Sequence, residues 1–256
     1  MPVMAAVDLG ALSGRVAVGR LDGDRLVVSE AHRFENVPVT IGGRLCWDIG
    51  RLYKETLDGL RAASRDETVD SLAVDSWAID FGLLDGDGEL VGNPVHYRDA
   101  RRAGAVPGVF ERIPPRELYD RTGVQMLPIN TIYELAAMVD EHDPALDRAD
   151  QLLLIPDLFH HWLCGSRTTE YTNATTTQCF DPRTGTWATD LLERLAVPVD
   201  LLPEVVAPGT PLGPVAADVA DRIGLDGALV VAVATHDTGS AVAGVFPRSG
   251  LRPGAH

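Results

Sequence analysis

Residues 4–21 read MAAVDLGALSGRVAVGRL, two apolar segments that flank a short turn with glycines at positions 10 and 14. Segments of this length and composition are typical of β-strands, and so short a connection predicts that the two strands run antiparallel. A third apolar segment, Leu26–Phe34, follows a second turn at Asp22-Gly23-Asp24. This part of the chain therefore predicts an antiparallel meander of three strands.

Apolar runs recur along the rest of the chain. Several lack polar alternation, which is typical of strands that are buried on both faces of a sheet, and they span residues 71–74, 79–84, 151–155 and 228–234. Helical spacing of apolar residues predicts helices at 48–64, 115–121, 130–141, 156–164, 190–195 and 216–223. Elements in this order predict one α/β domain, a mixed sheet that contains the meander and is flanked by helices, without an interior linker.

The charge of the chain narrows the choice of partners. The 256 residues carry a formal net charge of −15 at pH 7. Nucleic acids and anionic membrane surfaces both require a basic footprint, so the sequence argues against both partners. A phosphorylated ligand has to be held locally by backbone amides, by one or two basic side chains or by a metal ion.

Three further features predict a cytoplasmic protein. The three cysteines, Cys46, Cys164 and Cys179, are odd in number and widely spaced, which suits a reducing compartment. The predicted first strand begins almost at the N-terminus, which leaves no room for a signal peptide. No apolar run approaches the length that is needed to cross a bilayer.

The first turn carries the first candidate chemistry. Glycines at both ends of the turn allow successive N–H groups to converge on an anion, while Ser13 adds a hydroxyl donor and Arg15 adds a positive charge. Asp8, at the end of the first strand, can hold a hydrated magnesium ion. An ordinary β-hairpin also explains these residues, and by itself the motif slightly favours that interpretation. The glycine spacing fits neither a Walker loop nor a dinucleotide-binding fingerprint.

The second candidate motif is Thr235-His236-Asp237-Thr238-Gly239, which follows an apolar strand and opens a predicted helix over residues 237–245. Asp237 then lies in the first helical turn, where the helix dipole favours a negative charge. A carboxylate at that position can accept the proton of a substrate hydroxyl that attacks a phosphoryl group. The alternative is that Thr235 or Asp237 only caps the helix.

Three weaker motifs each allow two interpretations. Trp77, between Asp75 and Asp80, suits a sugar-stacking platform or a core position equally well. The segment Pro94–Arg101 suits either a polyol pocket or a solvated loop of paired charges. The hydroxyl-rich segment Tyr171–Gln178 favours strand-and-turn structure over a ligand site.

Two apparent metal motifs lack the required spacing. Asp85–Glu89 resembles a calcium loop, but its glycine is out of place and no closing glutamate follows, so a hairpin turn is predicted. His160, His161 and Cys164 are without a second pair of zinc ligands at usable spacing. Packing and solvation explain these side chains.

The combined motifs resemble the FGGY family of carbohydrate kinases. The segments that match in order and spacing are VDLGALSGR, HRFEN, WDI, VDSWAIDFGLLD, GNPVHYRDAR, LPINTIYEL, EYTNATTTQ and VAVATHDTGSAV, between about residue 5 and about residue 245. The resemblance implies an actin-like ATPase (ribonuclease H-like) fold and magnesium-dependent transfer of the γ-phosphoryl group of ATP to a sugar hydroxyl. The family members that it matches best act on the 1-hydroxyl of L-rhamnulose. A kinase for xylulose, glycerol or another polyol, and a non-catalytic sugar-binding protein, are the alternatives.

The same resemblance implies individual roles. Asp8 would serve the magnesium ion and Asp237 would be the catalytic proton acceptor. Residues of the first turn would bind the ATP phosphates; they are Ala11, Leu12, Ser13, Gly14 and Arg15. The sugar would contact Ala78, His236, Asp237 and Thr238, with Ala78 where the family commonly has glycine.

The resemblance also predicts the domain organisation. Family members are about twice as long as this chain, and their second domain supplies the adenine pocket and the other wall of the cleft. We therefore expect residues 1–245 to form the N-terminal, sugar-binding domain, residues 246–256 to be a disordered tail and the C-terminal nucleotide-binding domain to be absent. Such a chain is expected to turn over little or no substrate alone and to be able to pair with a separate C-terminal half.

Overall fold

The computed structural model describes residues 1–245, so the predicted disorder of residues 246–256 lies outside the described residues. The strands are β1 (Val3–Leu9), β2 (Ser13–Asp22), β3 (Arg25–Glu35), β4 (Val39–Ile41), β5 (Arg44–Cys46), β6 (Ser71–Ser76), β7 (Phe81–Leu84), β8 (Gln151–Leu154), β9 (Thr168–Glu170), β10 (Phe180–Asp181), β11 (Thr186–Trp187), β12 (Glu204–Val206), β13 (Thr210–Pro214) and β14 (Leu229–Ala232). The helices are α1 (Ile49–Ala63), α2 (Ala100–Arg112), α3 (Pro115–Thr122), α4 (Thr131–Asp140), α5 (Pro144–Arg148), α6 (Ile155–Cys164), α7 (Tyr171–Ala174), α8 (Thr189–Arg194), α9 (Ala217–Ile223) and α10 (Asp237–Ala243).

A six-stranded mixed sheet lies at the centre, in the order β13-β14-β6-β1-β2-β3. Strands β1, β2 and β3 are antiparallel neighbours, which confirms the predicted meander. Strand β6 lies parallel to β1, and β14 lies parallel to β6. The predicted mixed sheet with flanking helices is therefore confirmed, and the two candidate motifs extend from strands that are separated only by β6.

One face of the sheet carries the main core. Val3, Ala5, Val7 and Leu9 alternate along β1, and all four are buried. They share one apolar cluster with residues of α1, α6 and α9. Burial of this face orients β1, because a shift of one residue would turn the apolar side chains toward the opposite face.

A second core lies beside the sheet, where β7 pairs antiparallel with β8 and packs near α2 and α4. The predicted strand over residues 79–84 is therefore shorter than expected and belongs to this pair instead of the central sheet. It begins at Phe81 because Ile79 has a φ of 70°, which extended backbone does not allow. The turn after β7 is a hairpin as predicted, with the Gly88 N–H donating to the Asp85 carbonyl at 2.9 Å.

Two segments differ from the sequence predictions. Helix α2 was not predicted, because the charges that begin it resemble a solvated loop; Asp99 caps its first turn by accepting a hydrogen bond from the Arg101 N–H at 3.1 Å. Of the strand-and-turn structure predicted for Tyr171–Gln178, the strand is wrong, since residues 171–174 form α7, and the turns are present in residues 175–178. Its hydroxyl groups bond to nearby backbone carbonyls, as Thr177 does to Ala174 at 2.7 Å.

Within residues 1–245, no three side chains of His, Cys, Asp or Glu are grouped closely enough to ligate a metal ion. Among the helices of the same residues, none combines the length and hydropathy that a bilayer-spanning helix requires.

Candidate active site

The carboxyl end of the central sheet brings the two candidate motifs together. Asp8 on β1 is the direct register partner of Asp75 on β6. One residue further along β6, Ser76 forms a parallel bridge with His236, and the Ser76 N–H donates to the Thr235 carbonyl at 3.0 Å. The chain order Asp8, Asp75, Asp237 is therefore also the spatial order across three neighbouring strands and their extensions.

The turn between β1 and β2 is closed by a residue that sequence reasoning did not single out. The buried side chain of Asn36 donates a hydrogen bond to the Gly10 carbonyl at 2.9 Å, and its N–H donates to the Leu12 carbonyl at 3.0 Å. The Gly10 N–H donates to the Ser13 carbonyl at 2.9 Å, so this amide is already used inside the turn. The remaining tip is open, with the Leu12 side chain 82% exposed.

Neighbouring atoms lie so close to both glycines of the turn that neither position has room for a side chain. A Cβ atom at Gly10 would lie 2.7 Å from the Ser13 carbonyl oxygen, and one at Gly14 would lie 2.3 Å from the ring of Phe34. Contacts this short are repulsive for any side chain. The glycines therefore allow the turn to be tight and allow Phe34 to pack beneath it.

Asp8 faces a cavity of about 530 Å³ that Arg15, Asp75 and Ser240 also line. The Arg15 Nε–H donates to the Asp8 carboxylate at 2.8 Å. Ser240 belongs to α10, the helix that begins at Asp237. The cavity thus lies between the phosphate-loop candidate and the helix of the catalytic candidate.

Asp75 is an acid in this cavity that the sequence interpretation left without a role. Its Oδ1 atom is buried, and no described residue donates a hydrogen bond to it. Burial, and after it the neighbouring Asp8 carboxylate, raises the pKa of Asp75 to about 7, with a smaller contribution from Asp237. The net charge of this cavity therefore changes near neutral pH.

This raised pKa predicts the pH dependence of stability. The folded chain holds the Asp75 proton more tightly than the unfolded chain, so the contribution of Asp75 to stability is greatest below about pH 4 and is lost as the pH rises through about 7. The unfolding free energy of Asp75→Asn minus that of wild type should therefore increase by about 2–3 kcal/mol from pH 5 to pH 8. Urea denaturation at both pH values measures this gain, with the exposed Asp24→Asn as the matched control. Equal pH profiles for wild type and Asp75→Asn would contradict the prediction.

Asp237 is the first residue of α10. Its Oδ1 accepts hydrogen bonds from the Thr238 N–H at 2.5 Å and the Thr238 hydroxyl at 3.1 Å, and it lies 3.6 Å from His236 Nε2. The Asp237 side chain is 43% exposed, so a substrate hydroxyl can reach it from the open side. The three predicted sugar-contact residues after β14 are therefore adjacent to one another around one exposed carboxylate.

The segment before Asp237 is held by residues that the sequence interpretation assigned to local structure. Glu170 Oε2 accepts hydrogen bonds from the Thr235 N–H at 2.9 Å and the Thr235 hydroxyl at 3.1 Å. The His236 N–H donates to the Thr172 hydroxyl at 3.3 Å. The hydroxyl-rich composition of this segment was the sequence signal, but it does not indicate which strand the segment contacts.

The predicted sugar-contact residue Ala78 lies in a strained turn. The Asp80 N–H donates to the Ala78 carbonyl at 2.9 Å around Ile79, whose positive φ is unfavourable for a β-branched residue. The Thr131 hydroxyl donates to the Ile79 carbonyl at 2.7 Å and holds the turn. Trp77 is only 6% exposed, so the core interpretation of this tryptophan is the one that the structure supports.

Asp80 connects this turn to buried charges. Its Oδ2 accepts hydrogen bonds from the indole nitrogens of Trp47 at 2.7 Å and Trp77 at 3.1 Å, and from the Tyr97 N–H at 3.1 Å. Its Oδ1 accepts one from Arg102 Nη2 at 2.6 Å. The segment that ends at Arg101, which was interpreted as a polyol pocket or a solvated loop, is therefore followed by a buried network of ion pairs.

The cavity that Asp8 and Asp75 line meets two requirements of a magnesium site. Mg²⁺ commonly takes one or two protein carboxylates together with water and substrate phosphates. Asp8 lies on the cavity wall, and the adjacent Asp75 has a buried oxygen that no described donor satisfies. These oxygens fit a hydrated ion.

Comparison with known proteins agrees with this fold. Residues 3–244 match the model of the FGGY family of carbohydrate kinases, N-terminal domain. The chain therefore belongs to the FGGY family of carbohydrate kinases. The family resemblance that the sequence motifs carry is confirmed.

Two similar relatives are rhamnulokinases. The one from Pectobacterium carotovorum subsp. carotovorum (strain PC1) is 43% identical over 244 residues, which cover 94% of this chain and 48% of the relative. The one from Bacteroides thetaiotaomicron is 39% identical over 241 residues, which cover 94% of this chain and 50% of the relative. This chain thus spans about half the length of the curated relatives that it matches.

Solved structures share the actin-like sugar-kinase fold. Xylulose kinase from Lactobacillus acidophilus superposes with a TM-score of 0.82 at 19% identity, over 92% of this chain and 48% of that chain. A carbohydrate kinase from Novosphingobium aromaticivorans superposes with a TM-score of 0.81 at 23% identity, over 93% of this chain and 50% of that chain. These similarities confirm the predicted fold class.

Proposed function

We propose that this chain is the sugar-binding half of a kinase that transfers the γ-phosphoryl group of ATP to the 1-hydroxyl of L-rhamnulose. The observation that carries the proposal is the convergence of the two motifs at one end of the sheet, with Asp8 paired to Asp75 and Ser76 paired to His236. The choice of sugar rests on the rhamnulokinases that are 39–43% identical to the chain. The xylulose kinase neighbours share the fold at 19% identity, so xylulose is the second candidate.

Each predicted residue then has a role that suits its position. Asp237, exposed at the start of α10, accepts the proton of the sugar hydroxyl as that oxygen attacks. His236 and Thr238 flank the carboxylate and contact the sugar, with Ala78 on the neighbouring turn. The open tip of the first turn, residues 11–15, faces the ATP phosphates.

The magnesium ion, when bound, neutralises phosphate charge as the phosphoryl group leaves ATP. Asp8 would hold it, since this carboxylate lines the cavity. Arg15, which donates to Asp8, would then be able to donate to the phosphates, since a guanidinium donates in a planar fork.

Phosphoryl transfer also requires a second wall, because a kinase must exclude water and clamp both substrates. We propose that this wall is the half of the rhamnulokinases that the chain does not span, on the same polypeptide or on a separate one. Alone, the chain is expected to bind sugar weakly and to turn over little. ATP as the phosphoryl donor places such a kinase in the cytoplasm.

Calorimetry tests the choice of sugar on the chain itself. L-rhamnulose, D-xylulose and glycerol are titrated separately, and we expect L-rhamnulose to bind most tightly. His236→Ala, which removes a proposed sugar contact, is titrated in parallel and should weaken the binding if the heat comes from the proposed site. Tighter binding of xylulose would overturn the substrate, and tight binding of ATP without the second half would overturn the half-site proposal.

A further inference from the structure

The buried carboxylate of Glu170 has no role in the proposed reaction, although it lies next to the segment that carries Asp237. Glu170 ends β9 and is fully buried. No Lys, Arg or His among residues 1–245 lies within ion-pair distance of it. A buried carboxylate without a counter-ion is costly unless hydrogen bonds satisfy it.

Four hydrogen bonds satisfy Glu170, and they come from two segments of the chain. The Thr172 N–H donates to Oε1 at 2.9 Å, and the Thr172 hydroxyl donates to Oε2 at 2.5 Å. The N–H and the hydroxyl of Thr235 donate to Oε2 at 2.9 and 3.1 Å. The carboxylate therefore joins the start of α7 to the end of β14.

Thr172 extends this connection toward the catalytic candidate. Its hydroxyl oxygen accepts the His236 N–H at 3.3 Å while its proton goes to Glu170. The backbone of the two residues before Asp237 is thus held by Glu170 and Thr172.

We infer that Glu170 is a positioning residue that, together with Thr172, fixes the backbone from Thr235 to Asp237 and so aims the Asp237 carboxylate. The inference extends the proposed function, and it rests on that function for the use that the positioned Asp237 carboxylate serves. Ionised hydrogen bonds are stronger and more directional than neutral ones, so this arrangement selects one conformation of a segment that carries few buried side chains of its own. In α10 itself no residue is buried.

Hydrogen exchange of the 256-residue chain tests the inference with Glu170→Gln. Glutamine has nearly the same shape, but it replaces one acceptor with a donor that faces N–H and O–H groups. We expect exchange in residues 234–240 to increase about tenfold or more, while the strands of the central sheet exchange as in wild type. The matched control is Asp157→Asn, which changes another fully buried carboxylate that accepts a hydrogen bond from Thr169, beside Glu170.

The outcomes separate the inference from the proposed function. Unchanged exchange in Glu170→Gln, or an equal increase in Asp157→Asn, overturns the positioning role. If Glu170→Gln does not fold, Thr172→Val is measured in its place, and unchanged exchange near His236 overturns the role. L-rhamnulose titrations of the same variants should show weaker binding for Glu170→Gln than for Asp157→Asn. If the exchange result holds while wild type binds no sugar, the positioning role stands and the proposed function fails.

Discussion

Asp237→Asn is expected to lower kcat about 100- to 10,000-fold and to leave the KM for the sugar nearly unchanged. The asparagine keeps the size of the side chain and can still contact a bound sugar, but it cannot accept the proton of the attacking hydroxyl. Because the lost interaction exists mainly in the transition state, kcat carries the loss. The measurement is the initial rate of L-rhamnulose phosphorylation, with this chain joined to the C-terminal half of the Pectobacterium carotovorum rhamnulokinase at the end of the matched region.

The control for this experiment addresses the competing role of Asp237 as a residue that only stabilises a helix end. Asp218 lies in the first turn of α9, another seven-residue helix, and it is exposed. Asp218→Asn therefore removes a comparable interaction with a helix dipole and leaves the candidate active site unchanged. Similar, small effects of both substitutions would show that Asp237 is not the proton acceptor.

Arg102→Met is expected to cost about 3–5 kcal/mol of the free energy of unfolding. Arg102 is almost fully buried and donates to Asp80 at 2.6 Å, to Glu134 at 3.1 Å and to the Ile129 carbonyl at 2.6 Å. Methionine fills similar volume, but it leaves two buried carboxylates without this counter-ion. The loss of stability is measured by urea denaturation followed by circular dichroism.

The matched control is Arg116→Met, which makes the same change in an exposed pair with Asp120 on α3. Exposed ion pairs contribute little to stability, so its denaturation midpoint should stay close to that of wild type. A midpoint for Arg102→Met equal to that of the control would show that the buried network is not needed for stability. The strained turn at Ile79 depends on the same network, so sugar binding should weaken along with stability.

Local patterns in the sequence predicted five of the six strands of the central sheet, all except β13. The alternation of apolar residues in β1 and the short turns on either side of β2 are properties of neighbouring residues, and they predicted the meander. The apolar run before Thr235 predicted β14 and the start of α10 in the same way. The strand-end positions of Asp8 and Asp237 follow from these elements, so the sequence alone predicts that both carboxylates lie at the same edge of the sheet.

Tertiary structure decided the residues that hold the site, because their contacts join segments that are far apart in the chain. Glu170 meets Thr235 across 65 positions, and Asn36 meets Gly10 across 26. Helix α2 was not predicted for the same reason, since Arg102 finds its partner Asp80 only after folding. Hydropathy and spacing along the chain indicate which residues are buried and whether a segment has the repeat of a helix or of a strand. The pairing of one buried polar group with another is instead determined by packing between elements.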